Sequence, residues 1–139
     1  MSLDIPALRE SFELVAAREA QITKRFYEIL FERYPAARPL FSRKALEHQA
    51  KMLQEALVAV VDHLENAPWL EETLKAMGKT HLDYEVTEEM YPWVGECLLA
   101  TFVEIAGPAW KPAYTDAWST AYDAISGLMI TGAQEAAQA

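Results

Sequence analysis

Several chemistries are closed to this chain by what it lacks. Its 139 residues hold a single cysteine, Cys97. That excludes an intrachain disulfide and any multi-cysteine zinc or iron–sulfur site. Glycines number only five, and none falls in a phosphate-cradling loop or a Gly-x-Ser-x-Gly elbow. No Glu-x-x-His or His-Glu-x-x-His pair occurs, which excludes the usual bundle di-iron and helical zinc sites. Basic charge is scarce: 12 Lys plus Arg stand against 21 Asp plus Glu, for a formal charge of −9. Nucleic acid is therefore not expected as a partner, because phosphate binding needs a concentrated basic face. No window approaches the roughly 18 uninterrupted apolar residues of a membrane span. The start, Met1-Ser2-Leu3-Asp4-Ile5, lacks the basic and apolar runs of a secretory signal, so a cytoplasmic location is expected. Alternation with period 2 is short-lived, and no Asn-Gly or Asp-Gly hairpin turn appears.

What is present is helical. Apolar residues make up 52% of the chain and charged residues 24%, a balance that folds. The length suits one domain over residues 1–139, and the charge fits a monomer or a dimer alike. Ile5, Leu8, Phe12 and Val15 suggest a first helix near residues 4–18. Ile22, Phe26, Ile29 and Leu30 mark a second, over Gln21–Tyr34, ending before Pro35. Met52, Leu53, Ala56, Leu57, Val60, Val61 and Leu64 form a wide stripe on a third. Leu70, Leu74, Met77 and His81 trace a fourth, bounded upstream by Pro68. Met90, Val94, Cys97, Leu98, Phe102 and Ile105 trace a fifth, expected to open with Thr87 as N-cap and to stop at Gly107-Pro108. Tyr114, Ala117, Trp118, Ala121, Ile125, Leu128 and Met129 give the sixth its clean period. The small, polar tail Gln134–Ala139 is expected to fray. The fold class is all-α.

Taken singly, the polar candidates stay open. His81 lies on the stripe of Leu74 and Met77, where an imidazole either satisfies both nitrogens within the core or binds something. His48 and His63 sit beside charged residues, and a solvated role is the default for each. Tyr27 points about 100° from Phe26, toward either solvent or a second interior surface. Gln49 lies one turn before Leu53, on the same helix face. Cys97 reads as a small apolar filler.

Together these residues carry a resemblance. In chain order Phe26-Tyr27, Phe31, Tyr34-Pro35-x-x-Arg38-Pro39-Leu40-Phe41, Gln49, Leu53, His81 and Tyr91-Pro92-x-Val94-Gly95 resemble a bacterial globin. The likeness is to the haem domain of flavohaemoglobins and to single-domain haemoglobins of that lineage, and it spans nearly the whole chain. It implies a globin fold whose helices sandwich haem b, iron protoporphyrin. By resemblance His81 is the proximal iron ligand, its other ring nitrogen donating to a carbonyl near Met77. Phe41 is expected to pack on the haem plane, and Leu53, Leu57, Tyr91, Val94, Leu98 and Tyr122 to line the slot. Tyr27 and Gln49 become the distal polar pair that stabilises a diatomic ligand.

The implied function is reversible, high-affinity O₂ binding with reaction toward NO, and CO as a further ligand. NO dioxygenation to nitrate would require an external reductase. The alternatives are a non-enzymatic O₂ storage or gas-sensing module, and a haem-free helical interaction domain. One departure stands out. The lineage carries a glutamate on the last helix beside the proximal histidine, and the matching position here is Ala133. Glu135 follows two residues later, about 200° around the helix. The push of electron density toward iron is expected to be weaker, which counts against peroxidase-like turnover. Thr80 and Glu85 also depart from the lineage's usual basic residue and glycine.

Overall fold

The computed structural model describes residues 3–40, 43–83 and 87–138; the side chains of 19, 20, 40, 43–49, 82 and 83 fall outside that description. Among the described residues six α-helices run in order: α1 (Ile5–Ala16), α2 (Glu19–Arg33), α3 (Arg43–Asp62), α4 (Ala67–Asp83), α5 (Met90–Ala106) and α6 (Pro112–Gln138). Short 3₁₀ turns at Pro35–Leu40 and Gly107–Ala109 follow α2 and α5. No strand occurs among the described residues.

Proline placement explains much of this order. Pro6, Pro68, Pro92 and Pro112 sit in the first turns of α1, α4, α5 and α6, where a missing N–H costs nothing. The other three fall in the 3₁₀ turns. Gly107 closes α5 at φ +57°, a left-handed value that glycine adopts freely.

Two expectations from the sequence need correction. Thr87 does not cap α5 with its side chain; its carbonyl accepts from Met90 N–H in a turn, and Glu89 precedes the helix without a side-chain cap. The tail is helical rather than irregular. Helix α6 continues to Gln138, because Ala, Gln and Glu favour helix and the end is held against its neighbours. Lys75 on α4 pairs with Glu135 at 3.3 Å, and Gln134 donates to Glu88 at 2.8 Å. Leu64 is buried as expected, although α3 has ended two residues earlier.

Among the described residues, most of the fully buried large side chains lie on α1 and α5, against α6. Leu8, Val15 and Phe102 are almost fully enclosed there, each worth roughly 1.5–3 kcal/mol over an exposed position. Trp118 stacks edge-on to Phe102 at 5.0 Å and donates its indole N–H to Ser11 Oγ at 2.7 Å. Ser11 in turn donates to Ala7 O at 2.7 Å, so this buried hydroxyl is fully engaged. Elsewhere the helices pair off: α4 lies against α6, and α2 against α5. These two pairs carry the residues singled out above.

Candidate functional site

His81 stands near the end of α4, half-buried. Its Nδ1 lies 2.7 Å from Met77 O, one turn earlier. This is the contact expected from the sequence. It places the ring proton on Nδ1 and leaves the lone pair of Nε2 as the nitrogen that can bind a metal. The His81 ring is 6.3 Å from that of Tyr91, the second residue of α5.

Tyr91 is buried, and its hydroxyl has no hydrogen-bond partner among the described residues. Burial, and secondarily the charge of Glu88, push its pKa up. Its carbonyl accepts a 2.6 Å bond from the Tyr122 hydroxyl of α6. Burial also raises the Tyr122 pKa. That contact depends on Gly95: a Cβ there would stand 2.6 Å from the Tyr122 ring. The final glycine of the Tyr91-Pro92-x-Val94-Gly95 string thus lets the Tyr122 ring approach α5 closely. Leu98 is buried on the same helix, and Val94 is half-buried.

On α2, Tyr27 faces the interior and not solvent. It is 8% exposed, edge-on to Phe26 at 4.9 Å and 5.9 Å from Phe31. Desolvation pushes its pKa up to about 12, so the phenol stays neutral and keeps its proton to donate. Leu53 and Leu57 are half-buried on α3. Gln49 is placed on α3 by its backbone alone, and its side chain, like that of His48, lies outside the described residues, as do Phe41 and Glu85 entirely.

Other candidates resolve differently. His63 is not simply solvated: Nδ1 lies 2.7 Å from Ala59 O, and the ring stacks on Trp69 at 3.7 Å. Cys97 is fully buried, with desolvation pushing its thiol up to about 11, as an inert filler requires. Thr80 is exposed and bonds back to Ala76 O at 3.2 Å. Ala133 is half-buried on an unbroken α6, and Glu135 is turned to Lys75. No cluster of three or more His, Cys, Asp or Glu able to hold a metal occurs among the described residues.

Sequence reasoning missed Gly78 and Gly132. A Cβ on Gly78 would stand 1.8 Å from Met129 O, and one on Gly132 would stand 2.1 Å from Lys75 O. The available signal was a glycine inside a strong helical pattern, which costs about 1 kcal/mol and so implies a packing reason.

Comparison with known proteins agrees with the all-α fold. The family profile described as globin matches residues 24–129. An uncharacterised globin-like protein of Aquifex aeolicus is 32% identical over 127 residues, covering 91% of this chain and 89% of its own. A flavohemoprotein of Rhodopirellula baltica is 33% identical over 129 residues; the chain covers only 31% of that longer protein. Among solved structures, a bacterial globin of Campylobacter jejuni superposes with a TM-score of 0.84 at 26% identity, covering 97% of each chain. An engineered carbene transferase derived from a candidate nitric oxide dioxygenase of Rhodothermus marinus superposes with a TM-score of 0.83 at 30% identity. It covers 94% of this chain and 91% of its own. The chain belongs to the globin family, with the all-α fold of that family and homology to the globin domains of flavohaemoglobins.

Membership implies haem binding. The residues present fit the group: a half-buried imidazole with one nitrogen held by a carbonyl, a buried phenol kept neutral, and beside the imidazole a buried hydroxyl with no partner among the described residues.

Proposed function

We propose that this chain binds haem b through His81 Nε2 and holds O₂ with high affinity. The carrying observation is the 2.7 Å contact of His81 Nδ1 with Met77 O, which presets ring tautomer and orientation. Haem supplies the redox iron at which a diatomic ligand binds. Tyr27 donates a hydrogen bond to that ligand from a desolvated position, and Gln49 on α3 is assigned to the same side. Leu53, Leu57, Val94 and Leu98 keep the slot apolar, with Phe41, Tyr91 and Tyr122 completing it. A charge-assisted hydrogen bond is worth roughly 1.5–3 kcal/mol, or about 10- to 150-fold in affinity.

Slow release of O₂ suits chemistry with NO: one NO, one O₂ and one electron give nitrate. That electron comes from a separate reductase, a role that the longer flavohemoproteins suggest. The test is the visible spectrum after adding haem, ferric and then dithionite-reduced, under argon, O₂ and CO. A five-coordinate reduced form that takes up O₂ stably supports the reading. Absence of a specific haem spectrum returns His81 to the core and defeats it.

A second reading, non-enzymatic O₂ storage or gas sensing, is favoured by Ala133 and by the turning of Glu135 to Lys75, which leave no carboxylate from that turn of α6 beside the imidazole. Multiple-turnover NO consumption with a supplied reductase separates the two.

A further inference from the structure

Helices α4 and α6 meet more closely than any other pair among the described residues, and the meeting is reciprocal. Gly78 of α4 abuts the Met129 carbonyl of α6, while Gly132 of α6 abuts the Lys75 carbonyl of α4. Each glycine lies three residues after the residue that its partner touches, so one turn of each helix is involved. Both contacts are with backbone, which cannot swing aside as a side chain could.

The peptide group joining Met77 to Gly78 carries two contacts at once. Its oxygen holds His81 Nδ1 at 2.7 Å, and its glycine rests on the backbone of Met129. His81 follows Gly78 by three residues, close to one helical turn. Any movement of α4 away from α6 therefore moves the acceptor that orients the imidazole. The Lys75–Glu135 pair spans the same turn from the solvent side.

We infer that Gly78 and Gly132 are positioning residues for the His81 imidazole: their backbone-to-backbone crossing fixes the Met77 carbonyl, and through it the pose of the ring. This rests on the haem reading only for its spectroscopic readout. A methyl group at Gly132 demands a retreat of more than an ångström to reach ordinary contact. Gly127, on the same helix and exposed with nothing within 4 Å, provides the matched control.

The experiment is resonance Raman of the reduced, haem-loaded protein, reading the iron–imidazole stretching band. Gly132→Ala is expected to move the band, while Gly127→Ala leaves it at the wild-type frequency. In a His81→Gly background supplied with free 1-methylimidazole, which has no N–H to donate to the Met77 carbonyl and so cuts the link between α4 and the ring, the Gly132→Ala shift is expected to vanish. A folded Gly132→Ala protein with the wild-type band overturns the inference, and so does a shift that persists after the link is cut. Should Gly132→Ala not fold, amide hydrogen exchange of the wild type decides. Residues 78–81 are expected to exchange as slowly as residues 129–132; exchange at least tenfold faster in 78–81 overturns the clamp. A wild type with no iron–imidazole band defeats the haem reading instead, and the same exchange comparison on the haem-free protein then decides the clamp.

Discussion

The two helix pairs that carry the candidate site are built on opposite principles. Where α4 meets α6, glycines bring backbone against backbone, with Lys75–Glu135 as the ion pair across the seam. Where α2 meets α5, side chains do the joining. Tyr34 stacks on Trp93 at 4.8 Å, Arg33 and Tyr34 both bond Glu96, and Arg25 clasps Glu104. A backbone contact has one solution, whereas long side chains on a solvated face can readjust. The seam behind His81 is therefore the stiff one, and the seam beside Tyr27 is the compliant one. A metal ligand gains from fixed geometry, while a donor to an exchangeable gas gains from room to adjust.

Substitutions can break or sharpen that contrast. The largest effect is expected at His81: His81→Ala should lose proximal ligation, read as collapse of the reduced haem spectrum. Gly132→Ala should come next, destabilising by about 3 kcal/mol, at the high end of overpacking costs because the obstacle is backbone. Gly127→Ala should instead stabilise, by up to about 1 kcal/mol, since it only improves helix propensity. Urea midpoints of the two variants check this, and similar values would erase the stiff seam.

Tyr27→Phe should speed O₂ dissociation by about 10- to 150-fold, the value of one charge-assisted hydrogen bond, as read by stopped flow. The same residue sets an alkaline limit. An acid whose pKa is raised on folding contributes stability that is full below its unfolded value of 10 and is lost as pH rises through its folded value of about 12. Wild-type stability should fall across that window, and Tyr27→Phe should fall less. The smallest effect is expected on the compliant seam. Arg33→Ala breaks an exposed pair with Glu96 and should leave the urea midpoint close to wild type at physiological salt. A large loss there would make both seams equally rigid.

Much of this architecture was legible in the sequence, because apolar residues at helical spacing and prolines in first turns are local signals. The candidate site was read differently, through the resemblance carried by the Tyr91-Pro92 string, the neighbourhood of Pro35 and the stripe ending in His81. The inward direction of Tyr27 was legible only through the resemblance, since an angle of about 100° from Phe26 leaves solvent and a second interior surface both open until α3 and α5 are placed. The roles of Gly78 and Gly132 were hidden for a related reason. A glycine shows that something comes close but not what, and here the partners lie some fifty residues away along the chain. The continuation of α6 past Gly132 likewise comes with contacts to Lys75 and Glu88, which no reading of the tail alone would reveal.

Helix α6 runs 27 residues and touches α1 through Trp118, α5 through Tyr122 and α4 through Gly132. The bond from Trp118 to Ser11 joins positions 107 residues apart. During synthesis, then, the first helix emerges from the ribosome long before its indole partner exists. Its buried serine can bond Ala7 within α1 at once, but accepts from the indole only when α6 is made. Closing that contact costs the loop entropy of all the chain between, so it belongs to the non-local pairings that slow folding.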